Sequence, residues 1–293
     1  MSGLIRRESA LLGEHYFETV HASGLPIYVF PKKMSTTYAM LAVRFGSVDN
    51  STDADGKILL PDGVAHFLEH KLFANEDGSD SFERFAALGA DANAYTAHTR
   101  TVYLFSCTER FEESLAELLT FVTHPFFTDE SVKKEQGIIA EEIRMCRDDP
   151  YDRCYRNMLT GLYATHPVRV DICGSESSVY AITKEDLYAA YRTFYTPENM
   201  ALVVCGDVMP DTVLSVADAC LDGVRAGGVP VPRRRVAEPA CVHAPYTSVR
   251  GQVAKPIFAI GVKDTDFGEN DDACTRRSAV MEILAEMLFG DTG

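Results

Sequence analysis

Residues 62–73, DGVAHFLEHKLF, place two histidines, His66 and His70, four positions apart, with Glu69 directly before the second. A proline precedes this stretch, and Asp62 is a residue type that often caps a helix, so we expect a helix to begin there. Positions four apart share one helical face, so the two imidazoles can converge on one ion. Most histidine pairs at this spacing are structural, so the pair alone does not establish a metal site.

A metal site at these histidines needs a third ligand, and a later stretch, DESVKKEQGIIAEEIRMC, offers candidates. In this predicted helix Glu135 and Glu142 share a face with Ile139, whereas Glu141 falls with Arg144 on a solvated face. A carboxylate on an apolar face is costly to bury unless it has a cation or donor as partner. We therefore expect Glu142 to be the ligand and Glu135 to orient the site from behind it.

Two histidines and a carboxylate leave the fourth position of a zinc ion open for water, whose pKa falls to about 7 in such sites. Glu69 could take the proton of that water and pass it to a leaving amine. The order His-x-x-Glu-His is one of the zinc-peptidase signatures with this chemistry. The motif therefore favours a hydrolytic zinc site over a structural histidine pair.

The pattern of apolar residues predicts strands near the start of the chain and helices through most of the rest. Period-two alternation and β-branched residues predict strands over residues 15–22, 25–31, 36–47, 91–99, 101–108 and 200–207. Helical spacing predicts helices over residues 63–73, 81–88, 111–122, 129–148, 150–162, 183–194 and 209–222. This mixture predicts an α+β protein.

Composition excludes several classes of protein. The formal net charge is -15, which argues against a nucleic-acid partner, and the one basic cluster, residues 233–235, lies in a proline-rich stretch that we expect to be solvated. No apolar run is long enough to span a membrane, and no export signal is recognisable at the N-terminus. The eight cysteines form no C-x-x-C pair, which predicts reduced thiols and a cytoplasmic location.

The end of the chain resembles its beginning. Residues 258–264, FAIGVKD, resemble the third predicted strand, and residues 279–289, AVMEILAEMLF, align without gaps on GVAHFLEHKLF. In that alignment the positions of both histidines and Glu69 are occupied by glutamates and an alanine. Residues 223–250 are rich in Pro, Gly and Arg and predict a linker. We therefore expect a catalytic domain over residues 1–222 and the beginning of a second, inactive domain over residues 251–293.

The segments HFLEH, NAYT, HPVRVDICGS and ITKEDLYAAYRTFYTPENMALVVCGDV together resemble peptidase family M16, the inverted zincins that include pitrilysin, insulin-degrading enzyme and mitochondrial processing peptidase. The likeness extends over nearly the whole chain and is greatest for bacterial M16B-type members. It implies that His66, His70 and Glu142 bind one zinc ion, that Glu69 is the general base and that Glu135 supports the site.

The same resemblance implies a fold like that of mitochondrial processing peptidase, with a mostly antiparallel sheet covered by helices in two layers and repeated in a second domain. Here that second domain is incomplete. The resemblance also implies a peptide substrate held by an edge strand that matches Asn93, Ala94 and Tyr95. A homo- or heterodimer with an M16-like partner is a further expectation.

The preferred interpretation is a zinc metalloendopeptidase that acts on peptides or extended segments. The alternatives are a non-catalytic scaffold or binding protein of the same family, or a fragment that is inactive without its second half. The intact set of candidate residues favours the enzyme, and a storage or structural zinc protein is the weakest reading because Glu69 would have no purpose there.

Overall fold

The structure is a computed structural model, which describes residues 3–52, 58–224, 231–233, 236–265 and 270–290. Its strands are, in chain order, β1 (Ile5–Ser9), β2 (Glu14–Val20), β3 (Pro26–Pro31), β4 (Thr37–Val43), β5 (Ser51–Thr52), β6 (Ile58–Leu59), β7 (Asp91–Thr96), β8 (Thr101–Cys107) and β9 (Met200–Gly206). Its α-helices are α1 (Val64–Leu72), α2 (Ser81–Ala87), α3 (Phe111–Thr123), α4 (Asp129–Asp148), α5 (Pro150–Leu162), α6 (Glu176–Ala181), α7 (Lys184–Phe194), α8 (Pro210–Cys220) and α9 (Asp271–Phe289).

The main sheet has seven strands in the order β1-β2-β3-β9-β4-β8-β7, and β5 pairs with β6 separately. Neighbouring strands are antiparallel except β3 and β9, which run parallel. The predicted strands are confirmed at β2, β3, β4, β7, β8 and β9. The sequence pattern misses β1 because four of its five side chains are exposed, which leaves no alternation to detect.

Helices cover one face of this sheet and enclose the core. Helix α1 packs on β7 and β8 and also contacts α4 and α7, while α3 packs on β4 and β8. Alternate side chains of the central strands are buried beneath them, among them Leu41, Tyr103 and Leu202. The predicted α+β class, with a mostly antiparallel sheet covered by helices, is therefore confirmed. No helix of the described ranges is long and apolar enough to cross a membrane.

Helix α1 begins in a different way from the one expected. The prediction that Asp62 caps it is wrong, because Gly63 is the N-cap residue, with a φ of 91° and no side-chain cap. A Cβ atom at Gly63 would lie 2.4 Å from the carbonyl oxygen of Cys173. The left-handed backbone and the close approach both require glycine, so the start of α1 is fixed against the loop that contains Cys173.

The region after α8 contains one helix and no strand in its described residues. The likeness of residues 258–264 to the third predicted strand predicts a strand there, and that prediction is wrong, since no described strand lies beside them to share ladder hydrogen bonds. The helix predicted over residues 279–289 is confirmed and is longer, since α9 begins at Asp271.

The basic cluster of residues 233–235 was expected to be solvated, and for Arg233 this is wrong. Its guanidinium donates to both carboxylate oxygens of the buried Asp49, at 2.7 and 2.8 Å, and to the Thr99 carbonyl oxygen at 2.7 Å. The predicted linker is therefore attached to the turn that follows β7. Residues 234 and 235 lie outside the described residues.

Candidate metal centre

Helix α1 brings the two candidate histidine ligands to one face. The ring centroids of His66 and His70 are 4.5 Å apart, and His66 is buried while His70 is partly exposed. Leu68 and Leu72 are fully buried in the core on the other side of the helix. Core packing therefore sets the direction in which the two imidazoles point.

Glu142 on α4 forms a three-residue group with these histidines. His66 Nε2 lies 3.6 Å from Glu142 Oε1, and His70 Nε2 lies 3.6 Å from Glu142 Oε2. One ligand atom from each residue lies within 4.8 Å of the others. Ligand atoms about 2.0 Å from a tetrahedral zinc ion are about 3.3 Å apart, so this donor set fits zinc after small side-chain movements. Glu141 faces away and pairs with Arg144, as the helical pattern predicts.

Glu135 contacts the far side of His70. Its Oε1 lies 3.1 Å from His70 Nδ1, and its Oε2 lies 3.8 Å from Lys71 Nζ. Burial raises the pKa of Glu135, but the hydrogen bond and charge of His70, together with Lys71, outweigh burial and lower the pKa below its usual value. An ionised carboxylate at Nδ1 directs the Nε2 atom of His70 toward Glu142.

His66 has the properties of a neutral imidazole ligand. The pKa of His66 is lowered to about 3, mainly because the ring is buried and also because His70 lies beside it. Only the neutral form binds a metal, so burial favours the required form. Cys173 Sγ lies 4.0 Å from His66 Nε2, and burial raises the pKa of this thiol. Cys173 could not be found from the sequence, because no spacing motif connects it to the histidines.

Glu69 belongs to α1, and its carboxyl group lies at the same site, against the edge strand β7. Its Oε2 accepts a hydrogen bond from Thr96 Oγ1 at 2.6 Å. Burial raises the pKa of Glu69 against the opposing effects of Thr96 and His70. A carboxyl group with a raised pKa takes up a proton more readily than an exposed one. Thr96 is the last residue of the segment NAYT and directly follows the predicted residues 93–95, but nothing in the sequence indicates its contact with Glu69.

Among the described residues, strand β7 has a neighbouring strand on one side only, which leaves a free edge next to this carboxyl group. Ala97 N–H donates to the Arg100 carbonyl oxygen at 2.8 Å, and antiparallel alternation from that pair places the N–H and C=O of Ala94 on the free edge. Asn93 Oδ1 accepts a hydrogen bond from that Ala94 N–H at 2.8 Å. Tyr95 is exposed on the opposite face from Ala94. Of the three predicted substrate residues, Ala94 thus offers backbone groups and the other two offer side chains.

A cavity of about 400 Å³ connects these groups. Its lining includes His66, Glu69, His70, Ala94, Tyr95 and Glu142. A larger cavity of about 860 Å³ lies between α5 and residues 242–261 and contains none of the candidate site residues. The smaller cavity is the candidate reaction site, because of the two cavities only this one is lined by the candidate ligands and Glu69.

The chain is similar to known proteins over most of its length. An uncharacterised zinc protease of Bacillus subtilis, YmfH, is 39% identical over 284 residues, which are 95% of this chain and 66% of that protein. An uncharacterised zinc protease of Mycobacterium leprae is 32% identical over 158 residues, which are 53% of this chain and 36% of that protein. The chain therefore spans only part of the length of these relatives.

Solved structures show the same fold. A protein from Alicyclobacillus acidocaldarius, described as an M16-like peptidase, has a TM-score of 0.74 and 39% identity, over 83% of this chain and 56% of that one. A protease from Helicobacter pylori has a TM-score of 0.69 and 19% identity, over 78% of this chain and 55% of that one, and supports the fold alone.

Two family models match consecutive parts of the sequence. The model of insulinase, peptidase family M16, matches residues 31–175, which include the histidines, Glu69 and Glu142. The model of the peptidase M16 inactive domain matches residues 181–293. Together with the likeness to YmfH and to the Alicyclobacillus structure, these matches show that the chain belongs to peptidase family M16.

Proposed function

We propose that this chain carries the catalytic site of a zinc-dependent metalloendopeptidase that hydrolyses peptide bonds in peptides or extended segments. The observation behind the proposal is the convergence of His66, His70 and Glu142 beside the buried Glu69. The relatives named zinc proteases support the same cofactor and reaction. A purely structural zinc site would have no use for a buried carboxyl group beside an open coordination position.

In this proposal His66, His70 and Glu142 hold one zinc ion in the catalytic domain. When bound, zinc polarises the scissile carbonyl and lowers the pKa of a water molecule. Glu135 keeps His70 oriented by accepting a hydrogen bond at Nδ1. The side chain of Lys71 is almost fully buried, and its ammonium group lies 3.8 Å from Glu135 Oε2, where it acts as a counterion to the carboxylate.

Glu69 is the proposed general base. Its carboxylate takes a proton from the attacking water and later delivers that proton to the nitrogen of the leaving amine. The pKa of Glu69, which burial raises, suits a group that must hold the proton between these two events. Thr96 holds one of its oxygens and so keeps the carboxyl group at the cavity.

The free edge of β7 is the proposed substrate site. An extended peptide adds to this edge as a further strand and pairs with the backbone groups of Ala94, while the side chains of Asn93 and Tyr95 flank it. To pair fully, the peptide must displace Asn93 Oδ1 from the Ala94 N–H. Backbone pairing reads few side chains, so broad specificity is expected.

For the protein as a whole we propose a catalytic domain over residues 1–222, a linker over residues 223–250 and the beginning of a second, inactive M16-like domain over residues 251–293. Residues 251–293 lie within the match of residues 181–293 to the inactive-domain model, which supports a second unit there. The earlier part of that match includes β9, which we assign to the catalytic domain because it pairs with β3 and β4. Exposed apolar side chains on α9, among them Met287 and Phe289, support a homo- or heterodimer with an M16-like partner. The eight cysteines include no C-x-x-C pair, and this spacing supports a cytoplasmic location.

The proposal is tested on the 293-residue chain. We expect about one zinc ion per chain by atomic emission and cleavage of a mixed peptide library by mass spectrometry. Glu69→Gln should retain zinc and lose cleavage by about 100-fold or more, because the water loses its proton acceptor. Glu141→Gln is the matched control, because Glu141 faces away from the site, and it should retain both properties.

Two results would contradict the proposal. A chain that binds no zinc would rule out the metal centre, and equal cleavage by the native chain and Glu69→Gln would rule out the base. Zinc binding without cleavage in either protein would favour a non-catalytic member, or a site that needs the part of the relatives' length that this chain does not span.

A further inference from the structure

Thr96, the last residue of β7, contacts the proposed general base from the side of the substrate strand. Its Oγ1 donates to Glu69 Oε2 at 2.6 Å, and its backbone N–H also interacts with the Glu69 carboxyl group. Glu69 is buried, so water has little access to replace these donors. Short hydrogen bonds to a carboxylate are among the stronger ones in proteins, so this contact can fix the orientation of the carboxyl group.

The hydroxyl group of Thr96 is committed to Glu69. Thr101 lies opposite Thr96 in β8, with 3.5 Å between the two Oγ1 atoms. Thr101 donates its single hydroxyl proton to the carbonyl oxygen of Phe45 at 2.9 Å, and a carbonyl can only accept. Thr101 therefore has no proton to give Thr96. Because the contact with Glu69 is 0.9 Å shorter than the 3.5 Å contact with Thr101, the proton of Thr96 lies on the Glu69 side.

A pair of buried tyrosines holds Thr101 in place. The hydroxyl groups of Tyr103 and Tyr195 are 2.8 Å apart, and the hydroxyl group of Tyr195 also interacts with that of Thr101. Both tyrosines are buried, so these hydroxyl groups exchange partners with bulk water only rarely. These contacts fix the Thr101 side chain, which lies opposite Thr96 across the strand pair.

We propose that Thr96 is a positioning residue that sets the orientation of the Glu69 carboxyl group and ties it to the strand that pairs with substrate. This inference rests on the proposed peptidase function. Ala94, two residues earlier, offers its backbone on the same edge, so one strand aligns both the peptide and the base. Loss of the Thr96 hydroxyl leaves Ala94 and the three metal ligands in place but removes the 2.6 Å hydrogen bond, so the carboxyl group keeps the weaker interaction with the Thr96 N–H and is oriented less strictly.

Kinetics of Thr96→Val and Thr96→Ser test this role in the full chain. Valine has nearly the shape of threonine, so KM and zinc content should stay within about twofold of the native values. Because valine lacks the hydroxyl that orients Glu69, kcat should fall about 10- to 100-fold. Thr96→Ser restores the hydroxyl and should recover most of kcat. Thr123→Val is the matched control, because it removes an equally short hydroxyl bond, to the Leu119 carbonyl oxygen at 2.6 Å on α3, and kcat should not change.

A double-mutant cycle gives a readout that needs no activity. Unfolding equilibria are measured for the native chain, Thr96→Val, Glu69→Ala and the double variant. If the hydroxyl serves Glu69, the effects on the unfolding equilibrium constant should be non-additive by about tenfold, as expected for a hydrogen bond to a charged group.

The outcomes separate this inference from the proposed function. A native chain that binds zinc and cleaves nothing counts against the peptidase, and the cycle then decides whether Thr96 holds Glu69. Cleavage by the native chain with an unchanged kcat in Thr96→Val would overturn the positioning role and leave the peptidase intact. A serine variant as slow as the valine variant, or additive unfolding effects, would overturn it as well.

Discussion

His70 and Glu135 are joined by a hydrogen bond of 3.1 Å between Nδ1 and Oε1, on the side of the imidazole that faces away from Glu142. Carboxylates in this position orient a metal-binding histidine, and their loss typically weakens metal binding by about 10- to 100-fold. We therefore expect Glu135→Gln to weaken zinc binding by that factor in a competition titration with a chromophoric chelator. Glu130→Gln, an exposed carboxylate on the first turn of α4, is the control. Equal zinc affinity in the two variants would contradict the role of Glu135.

Glu142 and Glu141 are adjacent in sequence but face opposite ways. Glu142 lies 3.6 Å from the Nε2 atoms of His66 and His70, whereas Glu141 pairs with Arg144 at the surface. Glu142→Gln should weaken zinc binding by about 100-fold or more, because an amide is a poor zinc ligand, and Glu141→Gln should leave it within about twofold. Similar losses in the two variants, by the same titration, would show that the wrong helix face has been assigned to the metal.

Glu238 should make the stability of the chain sensitive to acid. Burial alone would raise the pKa of Glu238, but the hydrogen bond from Lys263 and the backbone N–H groups of Ala164 and Thr165 lower it well below its ordinary value of 4.5. A carboxyl group whose pKa is lower in the folded state stabilises the fold above its unfolded pKa, and this contribution is lost as the pH falls through the folded pKa.

We expect Glu238→Gln to have a lower free energy of unfolding than the native chain at pH 7, and we expect this difference to shrink below about pH 4.5. Denaturant titrations at pH 7 and at a pH below about 4.5 measure it. Glu109→Gln, at an exposed position, is the control and should have the same free energy of unfolding as the native chain in both titrations. A constant difference between native and Glu238→Gln across this range would contradict the linkage.

The candidate ligands and the elements that carry them could be predicted from the sequence. Helix α1 and helix α4 each have one apolar and one polar face, so spacing alone places His66 beside His70 and separates Glu142 from Glu141. The strands of the sheet alternate between core and surface, which marks them in the same way. Periodicity finds residues whose role depends on their own helix or strand.

Residues whose role depends on a partner far along the chain could not be found in this way. Gly63 is required by the carbonyl oxygen of Cys173, Thr96 holds Glu69, and Arg233 binds Asp49. Each contact joins segments whose relative position is set by the folded sheet and helices. No local pattern encodes these pairs, so they become visible only once the fold is known.

Arg233 should contribute measurably to stability through Asp49. Asp49 is buried, and its other donor is the Gly46 N–H at 3.0 Å, so Arg233→Ala leaves a buried carboxylate without its cation. Loss of one partner from a fully buried pair costs about 3–5 kcal/mol, and because the Arg233 side chain is 28% exposed we expect a smaller loss of about 1–3 kcal/mol.

The loss is measured by denaturant unfolding, with Arg6→Ala as the control. Arg6 pairs with Glu8 at the surface, where both side chains are more than half exposed, so its loss should change stability by less than about 1 kcal/mol. Adding Asp49→Asn to Arg233→Ala should recover part of the stability, because the uncompensated charge is removed. No recovery, or an Arg233→Ala effect as small as that of Arg6→Ala, would show that the contact does not stabilise the fold.

Gly63→Ala should weaken both the fold and the metal site. The φ of Gly63 is 91°, and an added Cβ would lie 2.4 Å from the Cys173 carbonyl oxygen, so the variant combines backbone strain with a steric clash. Gly89→Ala is a matched control, because Gly89 has a φ of 74° but no atom within 4 Å of an added Cβ, which leaves strain of about 1 kcal/mol alone. We expect Gly63→Ala to cost about 1–3 kcal/mol more than the control in denaturant unfolding.

Because His66 lies three residues after Gly63, relief of the clash displaces the first turn of α1, and zinc affinity should fall in this variant but not in Gly89→Ala. Equal costs in the two variants would mean that the loop around Cys173 moves aside freely and does not fix the start of α1.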